Sequence, residues 1–179
     1  MPQLRSAALM DLWHNVKRFF GSLRPGPPPR ADLEWAEAHL LEGEVPLWRA
    51  MSNPDKRHAL RVARRVDEVL GATAPRPVMA AALLHDVGKN DARLRTYGRV
   101  VATLTIWLAG KRTVAAWTQT RGLWRRIGLY AEYPRLGSEA LALAGSDPLT
   151  VAWALEHHDP PEDWTVPHDL GEVLAAADE

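Results

Sequence analysis

Histidines and aspartates stand at the ends or edges of several apolar stretches of this chain. They are His58, His85, Asp86, His157, His158 and Asp178. Singly, each is accounted for as a packed or solvent-exposed polar residue. Together they offer imidazole and carboxylate ligands from four predicted helices, a mixture that suits Mn, Fe, Co, Ni, Zn or Mg. The sequence therefore predicts a site for a divalent metal ion.

Composition restricts how such an ion is held. The chain of 179 residues has no cysteine, which excludes disulfides, thiolate catalysis, zinc fingers and iron–sulfur clusters. Any metal must be bound by His, Asp or Glu. A hydrophobic content of 46% is enough for the core of one ordinary domain.

Helical patterns position the candidate ligands. The stripe over 58–70 (Ala59, Val62, Ala63, Val66, Val69 and Leu70) carries His58, and the wholly apolar run 78–84 leads into His85 and Asp86. Asp147 and Pro148 form an N-cap and a first-turn proline, which open a helix through Trp153 to His158. On this helix His158 continues the stripe of Val151, Ala154 and Leu155. The last stripe is Leu170, Val173, Leu174 and Ala177. No alternating strand pattern appears, so we expect an irregular all-α bundle.

The N-terminal region has a different character. Apolar residues over 9–20 recur at helical spacing beside Lys17 and Arg18, which predicts an amphipathic helix that packs on its own domain or another subunit, or lies on a membrane surface. Prolines over 24–30 favour an extended linker. We therefore divide the chain into 1–23, 24–30 and a helical domain over 31–179. No secretory signal is visible, and the apolar stretch 100–110 is too short to span a bilayer, so we expect a cytoplasmic protein, membrane-peripheral at most.

Charge is distributed unevenly. The net charge is zero, but residues 1–131 hold 21 of the 22 basic residues, and residues 132–179 hold 11 of the 22 acidic ones. Residues 92–131 have eight basic residues, no acidic one, and Trp107, Trp117 and Trp124. Such a segment can bind nucleic acid or anionic lipid, although no nucleic-acid recognition motif is present. The simpler interpretation is a helical insertion that packs its tryptophans and turns its arginines to water.

Five segments, in order, resemble the HD-domain superfamily of metal-dependent phosphohydrolases. They are RHALRVARRV, AALLHDVGK, YPRLGSEAL, ALEHHD and LAAADE, within residues 50–179. The resemblance is most specific at the His85-Asp86 doublet. It implies an HD-type helical bundle in which His58, His85, Asp86 and Asp178 bind one divalent metal. It further implies that Asp86 anchors the metal and orients water, and that Lys89 contacts phosphate. The alternative for Lys89 is a solvated lysine after the end of the helix. Arg61 is a weaker phosphate candidate, and a solvated position is the simpler interpretation of it.

The resemblance also defines a possible second ion, bound by Asp86, His157 and His158. Tyr133 stands where a middle histidine would complete that second site, and a neutral phenol is a poor ligand, so we favour a single metal. Cyclic-dinucleotide cleavage is disfavoured because members of the superfamily with that activity carry a longer GYP-type motif after the histidine pair, where this chain reads HHDPPEDW. The implied substrate is a phosphate ester or anhydride, such as that of a nucleotide. The alternative is a non-catalytic HD-fold module that binds a metal, a nucleotide or a partner as a regulatory signal.

Overall fold

A computed structural model of the chain describes residues 26–94 and 96–179. Within these ranges every regular element is helical, which confirms the all-α prediction. The α-helices, in chain order, are α1 (Arg30–Glu37), α2 (Val45–Ala50), α3 (Asn53–Leu70), α4 (Arg76–Leu84), α5 (Lys89–Ala92), α6 (Thr96–Ala109), α7 (Lys111–Ala115), α8 (Gly122–Ala131), α9 (Tyr133–Leu143), α10 (Pro148–Glu156) and α11 (His168–Asp178). The predicted helix over 9–20 lies outside the described residues.

Helix α4 is the centre of the bundle. Every residue from Val78 to Leu84 is buried, as its unbroken apolar sequence predicts. Helices α3, α10 and α11 pack around it, and α9 packs on α10. The residues that follow α4 are therefore delivered into the interior rather than to the surface.

Local sequence signals fix the helices that flank α4. Helix α3 begins after Ser52, whose side chain accepts a hydrogen bond from the Asp55 amide, and ends before Gly71 at a positive φ of 56°. Helix α10 begins after Asp147, whose Oδ1 accepts from the Leu149 amide at 3.0 Å, as predicted.

Two details of the predicted apolar faces are wrong. Val69 was expected in the stripe of α3, but it is exposed, whereas Leu70 of the same stripe packs against the core. On α10, Ala154 of the predicted stripe is buried and Val151 packs against the core, but Leu155 is exposed while Trp153 is buried. Helix α10 is apolar on nearly every side, which leaves periodicity unable to select a face.

Residues 92–131, here called the basic lobe, form a second, smaller packing unit. Its buried residues are Ala92, Leu94, Ala102, Val114, Ile127 and Ala131. Trp117 packs edge-on against Trp124 with ring centroids 5.0 Å apart, but Trp107 is 80% exposed. The prediction that this segment packs its tryptophans is thus wrong for Trp107. Among the described residues, no helix combines the length and apolarity needed to cross a membrane.

Candidate metal centre

The turn after α4 places two polar side chains inside the bundle. The side chains of His85 and Asp86 are 2% and 5% exposed. His85 Nδ1 donates to the Ala82 carbonyl at 3.0 Å, so in the neutral imidazole Nε2 carries the lone pair. Nε2 is buried and has no hydrogen-bond partner. A buried nitrogen in this state is oriented to bind a cation.

Helices α3 and α11 bring the remaining predicted ligands to this nitrogen. His58 Nε2 lies 2.8 Å from Asp178 Oδ1, and His85 Nε2 lies 3.8 Å from the same oxygen and 3.6 Å from Asp86 Oδ2. One ligand atom from each of His58, His85 and Asp86 falls within 4.8 Å of the others. Asp178 is not part of that three-residue group, but its Oδ1 lies against both of its histidines. The four residues His58, His85, Asp86 and Asp178 are here called the four-residue cluster.

Asp178 is held although it is the last residue of α11. Leu174 and Ala177 bury the helix against the core, and Arg65 on α3 donates from Nη1 to the Ala177 carbonyl at 2.9 Å. Sequence reasoning did not find Arg65, because a hydrogen bond between residues 112 positions apart leaves no local signal.

The carboxylates of the cluster are ionised. Burial alone would raise the pKa of Asp86, but the Lys89 ammonium and the surrounding imidazoles hold it well below its ordinary value. Burial also opposes ionisation of Asp178, yet the hydrogen bond from His58 keeps the pKa of Asp178 below its ordinary value. A buried carboxylate beside a half-buried one requires positive charge close by.

Lys89 supplies one such charge. Its Nζ lies 2.5 Å from Asp86 Oδ2 and 4.8 Å from the centroid of the Tyr133 ring. Burial acts to lower the pKa of Lys89, but the Asp86 carboxylate raises it above its ordinary value. Arg61, by contrast, is exposed, and its guanidinium donates to the Arg57 carbonyl at 3.2 Å.

The histidine pair lies beside the four-residue cluster. His157 Nδ1 faces the carbonyls of Trp153 and Ala154, each at 3.2 Å, and Nε2 lies 3.9 Å from Asp86 Oδ1 and 3.3 Å from the Tyr133 hydroxyl. Burial, together with the neighbouring imidazoles of His85 and His158, lowers the pKa of His157 to about 3, so this ring is neutral.

Tyr133 bridges the pair. Its hydroxyl hydrogen-bonds His158 Nε2 as well as contacting His157. Burial and the nearby Asp86 raise the pKa of Tyr133 well above its ordinary value, which keeps the phenol neutral. His158 was predicted to continue a buried helical stripe, but α10 ends at Glu156 and His158 lies in the turn, on the exposed side.

Close packing of two glycines positions Tyr133. A Cβ on Gly88 would lie 1.9 Å from the Tyr133 carbonyl oxygen and 2.6 Å from the Gly137 amide nitrogen. Gly88 has a φ of −64°, so it serves this close approach and not a left-handed helix end. The missing side chain lets the start of α9 lie directly against the turn that carries Asp86.

Two further groups were not predicted. Glu156 is buried and accepts hydrogen bonds from the Thr165 and Val166 amides, both at 3.0 Å, which fastens the loop between α10 and α11. Asp55 on α3 accepts two hydrogen bonds from Arg99 on α6, at 2.5 and 2.7 Å, and joins the core to the basic lobe. These are contacts between distant segments.

A cavity of about 820 Å³ lies beside α5, the one-turn helix that Lys89 opens. It is lined by Asp91, Ala92, Arg93, Arg125, Arg126, Leu129 and Leu136. Arg126 donates to the carbonyls of Ala92 and Arg93. Three arginines against one aspartate give the cavity a positive balance that suits an anionic ligand.

Comparison with known proteins adds no further identification. The chain matches none of the protein-family models, curated proteins or solved structures against which it was compared. Its function is therefore argued from the geometry of its own residues.

Proposed function

We propose that the protein is a metal-dependent phosphohydrolase with an HD-type helical bundle. Its substrate is a phosphate ester or anhydride of a nucleotide or similar small molecule. The observation that carries the proposal is the buried His85 Nε2, which lacks a hydrogen-bond partner and lies among the ligand atoms of His58, Asp86 and Asp178.

These residues fit a divalent ion. Two imidazole nitrogens and two carboxylate oxygens form a borderline-to-hard donor set, and the Ala82 carbonyl fixes the His85 tautomer. When bound, such an ion polarises a phosphoryl oxygen and lowers the pKa of water. Asp86 anchors the ion and orients the water, while Lys89, next to that carboxylate, is placed to contact a phosphate oxygen.

We favour one ion over two. Tyr133 stands where a third histidine would complete a second site, and its neutral phenol already hydrogen-bonds the histidine pair. The arginine-rich cavity beside α5 suits an anionic ligand, but none of its lining residues belongs to the metal centre, so it does not bear on the substrate of that centre.

The second candidate function is a non-catalytic HD-fold module that binds a metal, a nucleotide or a partner. The contact between Lys89 Nζ and Asp86 Oδ2 favours it, because an ammonium already neutralises the carboxylate that a metal would need. In such a module the cluster has a structural or regulatory role and no phosphate is released.

Metal analysis combined with an activity assay distinguishes the phosphohydrolase from the non-catalytic module. The full chain is stripped with a chelator, offered Mn²⁺ or Zn²⁺, and assayed on a generic phosphomonoester and a nucleotide panel. We expect one ion per chain and release of phosphate, both lost in Asp86→Asn and kept in Glu172→Gln, which changes an exposed carboxylate on α11. Circular dichroism verifies that both variants stay helical. Metal binding without hydrolysis would support the module, and no metal binding would refute both metal-based functions.

Lys89→Met sharpens the distinction. If the lysine contacts phosphate, turnover falls at least about tenfold while the ion stays bound. If the lysine only neutralises Asp86, metal affinity rises and no hydrolysis appears in either protein.

A further inference from the structure

Helix α6 presents an apolar stripe to solvent. Its members recur at intervals of three and four residues, the spacing of a single helical face. They are Tyr97, Val100, Val101, Leu104, Trp107 and Leu108, with exposed fractions from 40% to 80%. A contiguous apolar face of this kind on a described surface marks a place where a partner docks.

The opposite face of α6 fixes this orientation. Ala102 is fully buried in the basic lobe, and Arg99 makes its two hydrogen bonds to Asp55 on that side. Arg99 Nε also donates to the Leu94 carbonyl at 3.1 Å. Turning the apolar stripe inward would break this ion pair and leave Asp55 buried without it, which is costly. The exposure of the stripe is therefore built into the packing.

Exposed basic residues follow the stripe along the chain and lie on a helix that packs on α6. In the sequence, residues 92–131 contain eight basic residues and no acidic one, although Arg99 among them is paired with Asp55 on the opposite face of α6. Lys111 and Arg112 follow α6 directly and are exposed, and α8, which packs on α6, exposes Leu123, Trp124 and Arg125. Apolar and aromatic side chains flanked by lysine and arginine are typical of helices that lie in the interfacial region of an anionic bilayer.

We propose that the face formed by the apolar stripe of α6 and the exposed basic residues of α7 and α8 docks on an anionic lipid membrane, with α6 parallel to the membrane plane. The exposed lysine and arginine side chains are complementary in charge to anionic lipid headgroups, which favours a membrane as the partner. A nucleic acid would be met by cations, whereas the centre of this face is apolar. A second copy would bring the exposed basic residues of both chains together, which like-charge repulsion opposes. The proposal does not depend on the metal centre.

Vesicle co-sedimentation of the full chain tests it. Binding is expected to vesicles that contain phosphatidylglycerol, to fall steeply with added salt, and to be weak on phosphatidylcholine alone. The variant Leu104→Glu/Trp107→Glu should reduce the bound fraction at least about tenfold. Leu143→Glu is the matched control, because Leu143 is an equally apolar and 91% exposed residue on α9. Charge reversal by Lys111→Glu/Arg112→Glu should weaken binding to anionic vesicles only.

The absence of cysteine permits a direct measurement of insertion. Leu108→Cys and Leu143→Cys each introduce a single site for an environment-sensitive dye. The dye at position 108 should shift to the blue with anionic vesicles, and the dye at position 143 should not.

Four outcomes would overturn the proposal. One is absence of binding to anionic vesicles. Another is binding that the α6 variants leave unchanged, which would assign it to another part of the chain, such as 9–20. The third is a dimer in sedimentation that Leu104→Glu/Trp107→Glu dissociates while vesicles are not bound. The fourth is retention of single-stranded RNA or duplex DNA in place of vesicles.

Discussion

The helical core and the basic lobe distribute polarity in opposite ways. The core around α4 buries charged and imidazole side chains, among them His85, Asp86 and His157. The basic lobe instead exposes the apolar residues of α6, including Trp107 and Leu108. Each arrangement costs free energy in the isolated chain, because buried charge and exposed apolar surface are both unfavourable.

The difference shows what each region lacks. In the core, every carboxylate of the four-residue cluster already has a positive or imidazole neighbour, while His85 Nε2 has no hydrogen-bond partner, so the missing component is a cation. In the lobe, the polar side of α6 is satisfied by Asp55, so the missing component is an apolar or interfacial environment. A small ligand suits the first region and an extended surface suits the second.

The Arg99–Asp55 ion pair joins the two regions. Removing it should change the free energy of unfolding more than any other substitution considered below. Asp55 is buried and the Arg99 side chain is 19% exposed. Arg99→Met leaves the carboxylate without its guanidinium and should lower the free energy of unfolding by about 3 kcal/mol in a urea titration. Adding Asp55→Asn to that variant should recover part of the loss, because the unpaired charge is removed.

Arg49 provides the matched control for this pair. Its guanidinium makes two hydrogen bonds to Glu37, at 2.9 and 2.6 Å, but on the surface. Arg49→Met should cost far less than Arg99→Met, because solvent screens an exposed pair. Equal losses from the two variants would contradict the view that a buried ion pair holds α6 in place.

Gly88 tests how the core positions the histidine pair. In Gly88→Ala the new Cβ would meet the backbone of Tyr133 and Gly137, so α9 must shift away from the turn that carries Asp86. We expect a loss of about 2 kcal/mol in the free energy of unfolding and weaker metal binding. Gly98→Ala on α6 is the control, because its nearest neighbour is a flexible Leu94 methyl at 3.1 Å. A fully stable Gly88→Ala protein would contradict the close packing of α9.

Sequence patterns predicted the features that depend on nearby residues. The N-cap at Asp147 and the burial of α4 follow from local chemistry and an unbroken apolar run, and both are present. The six histidines and aspartates singled out as candidate ligands lie in one region, with His158 on its exposed side. Their shared position in the bundle followed only from the resemblance, since spacing alone does not bring residues 58 and 178 together.

Features that depend on tertiary packing were missed. The stripe on α6 is visible in the sequence, but the side that faces water is decided by Arg99 reaching Asp55, 44 residues away. Periodicity shows that a helix has an apolar face and assumes that the face is buried. Likewise, no local pattern indicates that Arg65 holds the end of α11.

Asp178 tests the contribution of α11 to the metal centre. Asp178→Asn removes a charge 2.8 Å from His58 Nε2 and should lower metal affinity at least about tenfold, or about 1.4 kcal/mol, while the protein stays helical. Calorimetric titration with Mn²⁺ or Zn²⁺ measures the change. Glu179→Gln, the exposed carboxylate next along the chain, is the control. Unchanged affinity in Asp178→Asn would remove this residue from the ligand set.

The pH dependence of stability tests the buried histidine pair. The pKa of His157 falls from 6.5 to about 3 on folding, so between these values the unfolded chain binds more protons than the folded one. Stability contributed by the neutral ring is therefore present above pH 6.5 and is lost as the pH falls toward 3. Burial of His158, whose pKa is also lowered, acts in the same direction.

His157→Gln isolates this contribution. Without metal, the free energy of unfolding of the unaltered chain should fall with decreasing pH more steeply than that of the variant, by up to about 1 kcal/mol per pH unit near pH 6. Denaturant titrations of both proteins at several pH values in a chelating buffer give the two slopes. Because the variant differs from the unaltered chain only by the loss of the His157 ring, equal slopes would mean that His157 is not held neutral inside the core. The core would then not bury His157 as a neutral imidazole, and the contrast between its polar interior and the apolar surface of α6 would rest on the remaining cluster residues alone.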